Sequence, residues 1–157
     1  ARVCDFVIKE KLYNLVESFT VTLEIPKSTL EVFNCIQEVP KWWSRDFEGS
    51  SSRLNDEFII HHPNRHYSKQ KLVEVIPGSK ITWLVTESTL HWLQVNPQEW
   101  TNTKMIFVLS MVNGKTVLQF THEGLVPAKE CYEMCAQGWS TVILDRLYHY
   151  ILSGKEI

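Results

Sequence analysis

The stretch VLQFTHEGLVPAKECYEMCAQGWSTVILDRLYHYIL, residues 117–152, decides the fold. Its first six residues alternate: Leu118, Phe120 and His122 share one side, Val117, Gln119 and Thr121 the other, the period of a strand with two unlike faces. Glu123-Gly124-Leu125-Val126 interrupts the alternation, and Pro127 suits the first position of a helix. Glu130 and Glu133 lie at the positive end of that helix's dipole, and Gly154 supplies a C-terminal cap. The helix is expected from Pro127 to about Ser153, roughly 26 residues and about 39 Å at 1.5 Å per residue. Tyr132, Cys135, Ala136, Trp139, Val142, Ile143, Leu147, Tyr150 and Ile151 form its apolar stripe, with Glu130, Glu133, Gln137, Ser140, Asp145 and His149 opposite. A long one-sided helix following a strand reads as the roof of a curved antiparallel sheet.

Upstream, Asn113-Gly114 is the signal for a two-residue type I′ turn, which fixes register. Val112 then opposes Lys115, Leu109 faces Leu118, Phe107 faces Phe120 and Met105 faces His122. Opposed residues share a face, so His122 is expected on the apolar side with Met105, Phe107, Leu109, Leu118 and Phe120. Further strands are expected at about 56–61, 67–76, 80–87, 103–112 and 115–122, with turns at Pro63-Asn64 and Pro77-Gly78. Residues 88–102 fit either strand or loop. Near the start, Phe19, Val21, Leu23 and Ile25 alternate with polar residues up to Pro26. A short helix over 27–37 follows, with Ser28 as N-cap, Glu31 three residues on, and Leu30, Phe33 and Ile36 as its apolar side. Glu38-Val-Pro-Lys-Trp-Trp43 adds a turn or second short helix. The order predicts an α+β helix-grip fold: a curved antiparallel sheet of about six or seven strands around a long C-terminal helix, in one domain over 1–157 with its core at about 18–153.

The 157 residues carry a formal charge of −2 and 44% hydrophobic residues, the balance of an ordinary globule, and no basic face points to nucleic acid. No apolar run is long enough for a membrane span. Cys4, Cys35, Cys131 and Cys135 lack metal or disulfide-scaffold spacing, which fits reduced thiols in a cytoplasmic protein. Cys131 and Cys135, one turn apart on a helix, have Cβ atoms about 5–6 Å apart. A disulfide needs about 3.8 Å, so they read as packing residues. His61, His62 and His66 resemble a metal cluster at first sight. Adjacent His61 and His62 point to opposite faces of a strand, however, so at most two converge and no metal is expected.

Several segments together resemble the START-like superfamily, also called SRPBCC and including the birch-pollen-allergen fold. The carrying residues are Lys41-Trp42-Trp43, Val75-Ile76-Pro77 with Ile81-Thr82-Trp83, Glu99-Trp100-Thr101-Asn102-Thr103, and Phe120 to Pro127 continuing through Cys131, Tyr132, Cys135, Gly138 and Trp139. Within that superfamily the chain is similar to the branch related to the C-terminal domain of activators of the 90-kDa heat-shock protein ATPase. Where many relatives carry glycines before the second strand this chain has Asn55-Asp56, so a different bend is expected there.

The resemblance implies a deep cavity between sheet and helix, suited to a hydrophobic or amphipathic small molecule, and no particular reaction. Trp43, Tyr67, Trp83, Phe107, Phe120, Cys135 and Trp139 are the expected lining, with His122 as polar handle. His122 has a second reading as a structural histidine tying the strand to the Glu123-to-Pro127 connection or to Glu99. An alternative is a cyclase- or dehydratase-like enzyme using His122 and Glu99 as acid and base. No nucleophile motif or phosphate-binding glycine loop is present, and no cofactor is expected. A third reading, from the branch alone, is a co-chaperone-like module with a chaperone or homodimer partner, although the chain has no room for the extra N-terminal module such activators carry.

Overall fold

The computed structural model describes residues 16–62 and 65–157, so Cys4 and the turn at Pro63-Asn64 lie outside the described residues. Seven strands form one antiparallel sheet: β1 (Phe19–Ile25), β2 (Phe47–Gly49), β3 (Glu57–His62), β4 (His66–Ile76), β5 (Lys80–Leu90), β6 (Lys104–Val112) and β7 (Lys115–Glu123). They lie in the order β1-β7-β6-β5-β4-β3-β2, so the first strand closes against the last. The β6–β7 hairpin has the register that Asn113-Gly114 dictates, with Met105 opposite His122, Phe107 opposite Phe120 and Leu109 opposite Leu118. Asn113 and Gly114 both have positive φ, 51° and 78°, as the type I′ turn requires. Register shifts at Lys69/Gln70 and Leu72/Glu74 on β4 interrupt its pairing with β5. Such bulges bend a strand and strengthen its twist.

Helix α1 (Thr29–Gln37) starts at the expected capping box: Ser28 Oγ accepts from Glu31 N, and the Glu31 carboxylate accepts from Ser28 N. Its buried side is Val32, Phe33 and Ile36, whereas Leu30 is exposed. The helix sits rotated so that Val32, not Leu30, is buried. A 3₁₀ turn (Val39–Lys41) follows, and the Trp42 indole donates to the carbonyls of Cys35 and Ile36. Asn55 adopts φ 70°, the left-handed conformation that glycine most readily takes. Asp56 supports the bend by accepting from the backbone N–H groups of Ser52 and Arg53.

The C-terminal helix begins later than the proline signal suggests. Residues 127–131 are turns, with Lys129 N bonded to Val126 O and Tyr132 N to Lys129 O. Regular helix α2 covers Tyr132–Trp139, a π-helical segment Ser140–Leu147, and α3 Tyr148–Ser153, closed by Gly154 at φ 73°. The delay has a cause in the tertiary structure. Glu130 is drawn away from a first helical turn, its carboxylate accepting from Gln94 N and Val95 N in the β5–β6 connection at 2.7 and 3.0 Å. Cys135, Trp139, Val142, Ile143, Leu147, Tyr150 and Ile151 are buried as the stripe predicts.

Between sheet and helix lies a continuous aromatic core. Trp83, at the centre of β5, stacks on Trp43 with ring centroids 5.8 Å apart and planes at 3°. It also meets Phe58 at 4.9 Å and Phe107 at 4.8 Å. Phe107 contacts Phe120 at 5.0 Å, and Phe120 contacts Trp139 at 4.6 Å. Trp42, Trp83, Phe107 and Phe120 have no exposed surface. This half of the interface is solid.

Candidate functional site

An opening remains at one end, between the β3–β4 hairpin, the β5–β6 connection and α2. It is a pocket of about 530 Å³. Its floor is Trp43, His66, Trp100, Cys135 and Trp139, all buried. One side is the edge of the helix bearing Met134, Gly138 and Val142, at spacings of four; the rim carries His62, Arg65, His91 and Trp92. The lining contains no carboxylate, while Arg65 and three imidazoles come from His62, His66 and His91. Gly138 matters to the space itself. A Cβ there would meet no heavy atom within 4 Å, so its missing side chain leaves open volume rather than making room for a close neighbour.

Trp100 organises the floor. It stacks on Trp139 with centroids 5.8 Å apart and planes at 10°, and presents its faces and edges to His66 and His122, each at 4.8 Å. The connection that carries it is stapled to the start of α2. Besides the Glu130 bonds, Glu99 Oε1 accepts from Cys131 N at 3.4 Å and Lys129 Nζ donates to Glu99 O at 3.2 Å. Gly124, at φ 99°, lets the chain leave β7 against this connection: a Cβ there would stand 2.8 Å from Thr103 Cγ2.

Beneath the floor, His122 is fully buried and both ring nitrogens are engaged. Trp139 Nε1 donates to His122 Nδ1 at 3.0 Å, which leaves the proton on Nε2 to be donated to Thr103 Oγ1 at 2.8 Å. Thr103 in turn donates to the Trp100 carbonyl. Every donor in the relay has an acceptor, and it links β7, the β5–β6 connection and α2. Burial first, then the nearby Lys129 and His66, lowers the His122 pKa to about 3, so near neutral pH the ring carries no charge. Its ring is tied to Thr103 and Trp139 rather than to Glu99 or the 123–127 connection.

His66 stands in a second relay on the inner face of β4. The Gln70 amide is oriented with its oxygen accepting from Ser68 Oγ, because in the reverse orientation that oxygen would face only carbonyl oxygens, whereas here the amino group donates to them, to Phe58 O at 3.2 Å and Ser68 O at 3.3 Å. With its hydrogen given to Gln70, Ser68 Oγ accepts from His66 Nε2 at 2.7 Å. Burial first, then the neighbouring His62 and His61, lowers the His66 pKa to about 3.

The structure distributes the expected lining among three places. Trp43, Cys135 and Trp139 reach the pocket. Trp83, Phe107 and Phe120 form the solid core beside it, with His122 under the floor. Tyr67 projects from the opposite face of β4 to Ser68 and Gln70, its hydroxyl donating to Glu87 at 2.8 Å. Glu99 and His122 are not brought together, since Glu99 holds the start of α2 while the bonds of His122 go to Thr103 and Trp139.

Cys131 and Cys135 are free thiols. Cys131, with the Trp100 indole nearby, holds Cys135 below the usual thiol range despite its burial. Of the three histidines near the β3–β4 turn, two converge. His62 pairs with His66 in register, ring centroids 6.0 Å apart, while His61 turns away toward Asp46 and Tyr67. No group of three His, Cys, Asp or Glu suited to a metal ion occurs among the described residues. Arg65, His91, Met134, Gly138 and Val142 were not legible as pocket residues. The one signal within reach was the short β3–β4 turn, which sets His62 opposite His66 and carries Arg65 between them.

The family model described as Activator of Hsp90 ATPase homolog 1-like protein matches residues 31–151. The chain belongs to this family. Its fold is similar to that of the Aha1 dimer from Colwellia psychrerythraea, solved in solution, at 19% identity and a TM-score of 0.71 over 88% of this chain and 98% of that one. It is similar also to MLL2253 from Mesorhizobium loti, at 13% identity and a TM-score of 0.70 over 90% and 100% of the two chains. CalU16 from Micromonospora echinospora matches at 16% identity and a TM-score of 0.62 over 87% and 77%. At such identities the likeness is one of fold. No curated protein matches the chain at a significant level. Among the described residues no helix is long and apolar enough to cross a membrane.

Proposed function

We propose that this member of the family is a small-molecule binding protein whose site is the pocket beside α2. The observation that carries the reading is the combination of volume and lining. About 530 Å³ lies within the roughly 300–1,000 Å³ common for ligand sites, which are mostly apolar with a few placed polar groups. Trp43, Trp100 and Trp139 offer flat apolar surface, and Arg65, His62 and His91 at the rim face the solvent end. An amphipathic ligand with an aromatic or aliphatic body and an anionic or polar end matches both. The enzymatic reading and the chaperone-partner reading draw on the family and on the dimeric Aha1 relative, not on a feature of this pocket.

The test is titration with 8-anilinonaphthalene-1-sulfonate, an aromatic anion, followed by dye fluorescence and by quenching of the tryptophans. Saturable one-to-one binding is expected in the native chain, and its loss is expected in Gly138→Leu, whose side chain extends into the open volume. Circular dichroism checks that this variant is folded. Absence of saturable binding, or binding unchanged in folded Gly138→Leu, would sink the reading.

A further inference from the structure

Among the buried residues of the pocket floor, His66 is the one whose side chain carries a nitrogen able to accept a hydrogen bond. Its side chain is buried, with 7% of the residue exposed, and it lines the pocket. Nε2 is consumed by Ser68, and Nδ1 has no partner among the described residues. The proton order along the relay is fixed from the far end. The Gln70 amino group must give its hydrogens to the two carbonyls, which turns Oε1 to Ser68. Ser68 has a single hydrogen and spends it on that oxygen, so it can only accept from His66. The imidazole is thereby held as the Nε2–H tautomer with a lone pair on Nδ1.

We infer that His66 Nδ1 is presented to the pocket as a hydrogen-bond acceptor and that the pocket selects ligands bearing a hydroxyl donor on an aromatic or otherwise flat apolar body. The inference rests on the pocket being a ligand site and adds what that site recognises. Three features converge on it. The indoles of Trp100 and Trp43 stand edge-on to the His66 ring at 4.8 and 6.2 Å, so a flat body lying along them carries its substituent to the imidazole. Burial keeps the ring neutral, which preserves the lone pair through the neutral pH range. Ser68 and Gln70 are themselves fully buried, so solvent does not compete for the relay. A ligand without a donor would strip water from Nδ1 and give nothing back, and a buried acceptor left unpaired is costly. Sites built this way discriminate strongly against the analogue lacking the hydroxyl. Ser68 and Gln70 are positioning residues here, since they act through His66.

The experiment compares 2-naphthol with 2-methoxynaphthalene and naphthalene by calorimetry and tryptophan quenching. The same bicyclic body is common to all three, and only the first donates. 2-Naphthol is expected to bind at least about tenfold tighter than the methyl ether, equivalent to about 1.4 kcal/mol, and the ratio is expected to fall to about one in His66→Phe. Nitrogen-15 NMR of histidine-labelled native protein reads the tautomer without any variant. His66 Nδ1 should give the resonance of an unprotonated nitrogen and shift on adding 2-naphthol. Equal affinity of the three probes, or a protonated Nδ1 in the free protein, would overturn the selectivity and leave the pocket standing. Failure of all three to bind would overturn the pocket reading and the selectivity with it.

Discussion

The two ends of the sheet–helix interface use the same residue types and reach opposite results. At the closed end Trp42, Trp83, Phe107, Phe120 and Phe58 fill the space between β-strands and helix with essentially no exposed surface. At the open end Trp43, Trp100 and Trp139 make a floor and leave about 530 Å³ above it. The difference does not lie in the amount of aromatic surface. It lies in what stands opposite: at the closed end the 3₁₀ turn brings Trp42 into stacking range of Trp83, at 6.2 Å and 19°, whereas at the open end the helix offers Gly138, with nothing within 4 Å of where its Cβ would be. Tryptophan in a fold of this kind therefore says little about binding until its partner surface is known.

Truncating each end breaks the comparison most directly. Trp83→Ala is expected to cost about 3–5 kcal/mol, the range for deleting a large buried aromatic, and Trp92→Ala at the rim less than about 1 kcal/mol. Urea denaturation measures both, and comparable losses would mean the two ends are not energetically distinct.

Acid should reveal the two buried neutral histidines of the open end, one on the pocket floor and one beneath it. His66 and His122 have pKa values lowered to about 3 in the fold against about 6.5 unfolded. A folded value below the unfolded one means the unfolded chain binds more protons in between. Stability is then fully present above about pH 6.5 and falls as pH drops toward 3, by about 1.4 kcal/mol per pH unit for each histidine. In thermal melts between pH 6.5 and 5, His122→Gln should show about half the native slope; an unchanged slope would contradict the burial argument.

Gly124→Ala tests the seam between the relay and β7. Its Cβ would press on Thr103 at 2.8 Å with φ at 99°, an unfavourable conformation for any other residue. A loss of about 1–3 kcal/mol is expected, and a change within error in denaturation midpoint would show that the β5–β6 connection simply yields. The smallest effect is of opposite sign. Gly138→Ala should gain about 0.5–1 kcal/mol from helix propensity while trimming the pocket by one methyl, so melting temperature should rise as dye affinity falls slightly.

Much of the sheet was legible because its signals are local. Asn113-Gly114 fixed a register that placed His122 inside, and Ser28 with Glu31 fixed the start of α1. The three-residue β2 was missed because Phe47-Glu48-Gly49 is too short to show a period. The start of the long helix was misjudged because Pro127 is a local preference, while Glu130 is held by backbone groups of Gln94 and Val95, some 35 residues away. Grouping Trp83, Phe107 and Phe120 with the ligand surface followed from their shared face, which alternation does reveal; whether that face is covered by another ring or by empty space is not a property of the strand.

The sequence by itself determined the family, the antiparallel character of the long strands, the inward side of β6 and β7, and the apolar stripe of the helix, since these follow from periodicity and turn chemistry over a few residues. Only the tertiary structure decided where the interior is filled and where it is open. That depends on Trp42, His66, Trp100 and Gly138, spread over nearly a hundred residues of chain, meeting or failing to meet across a curved sheet. Contact of that kind is set by how strands twist and bulge, and no local pattern records it.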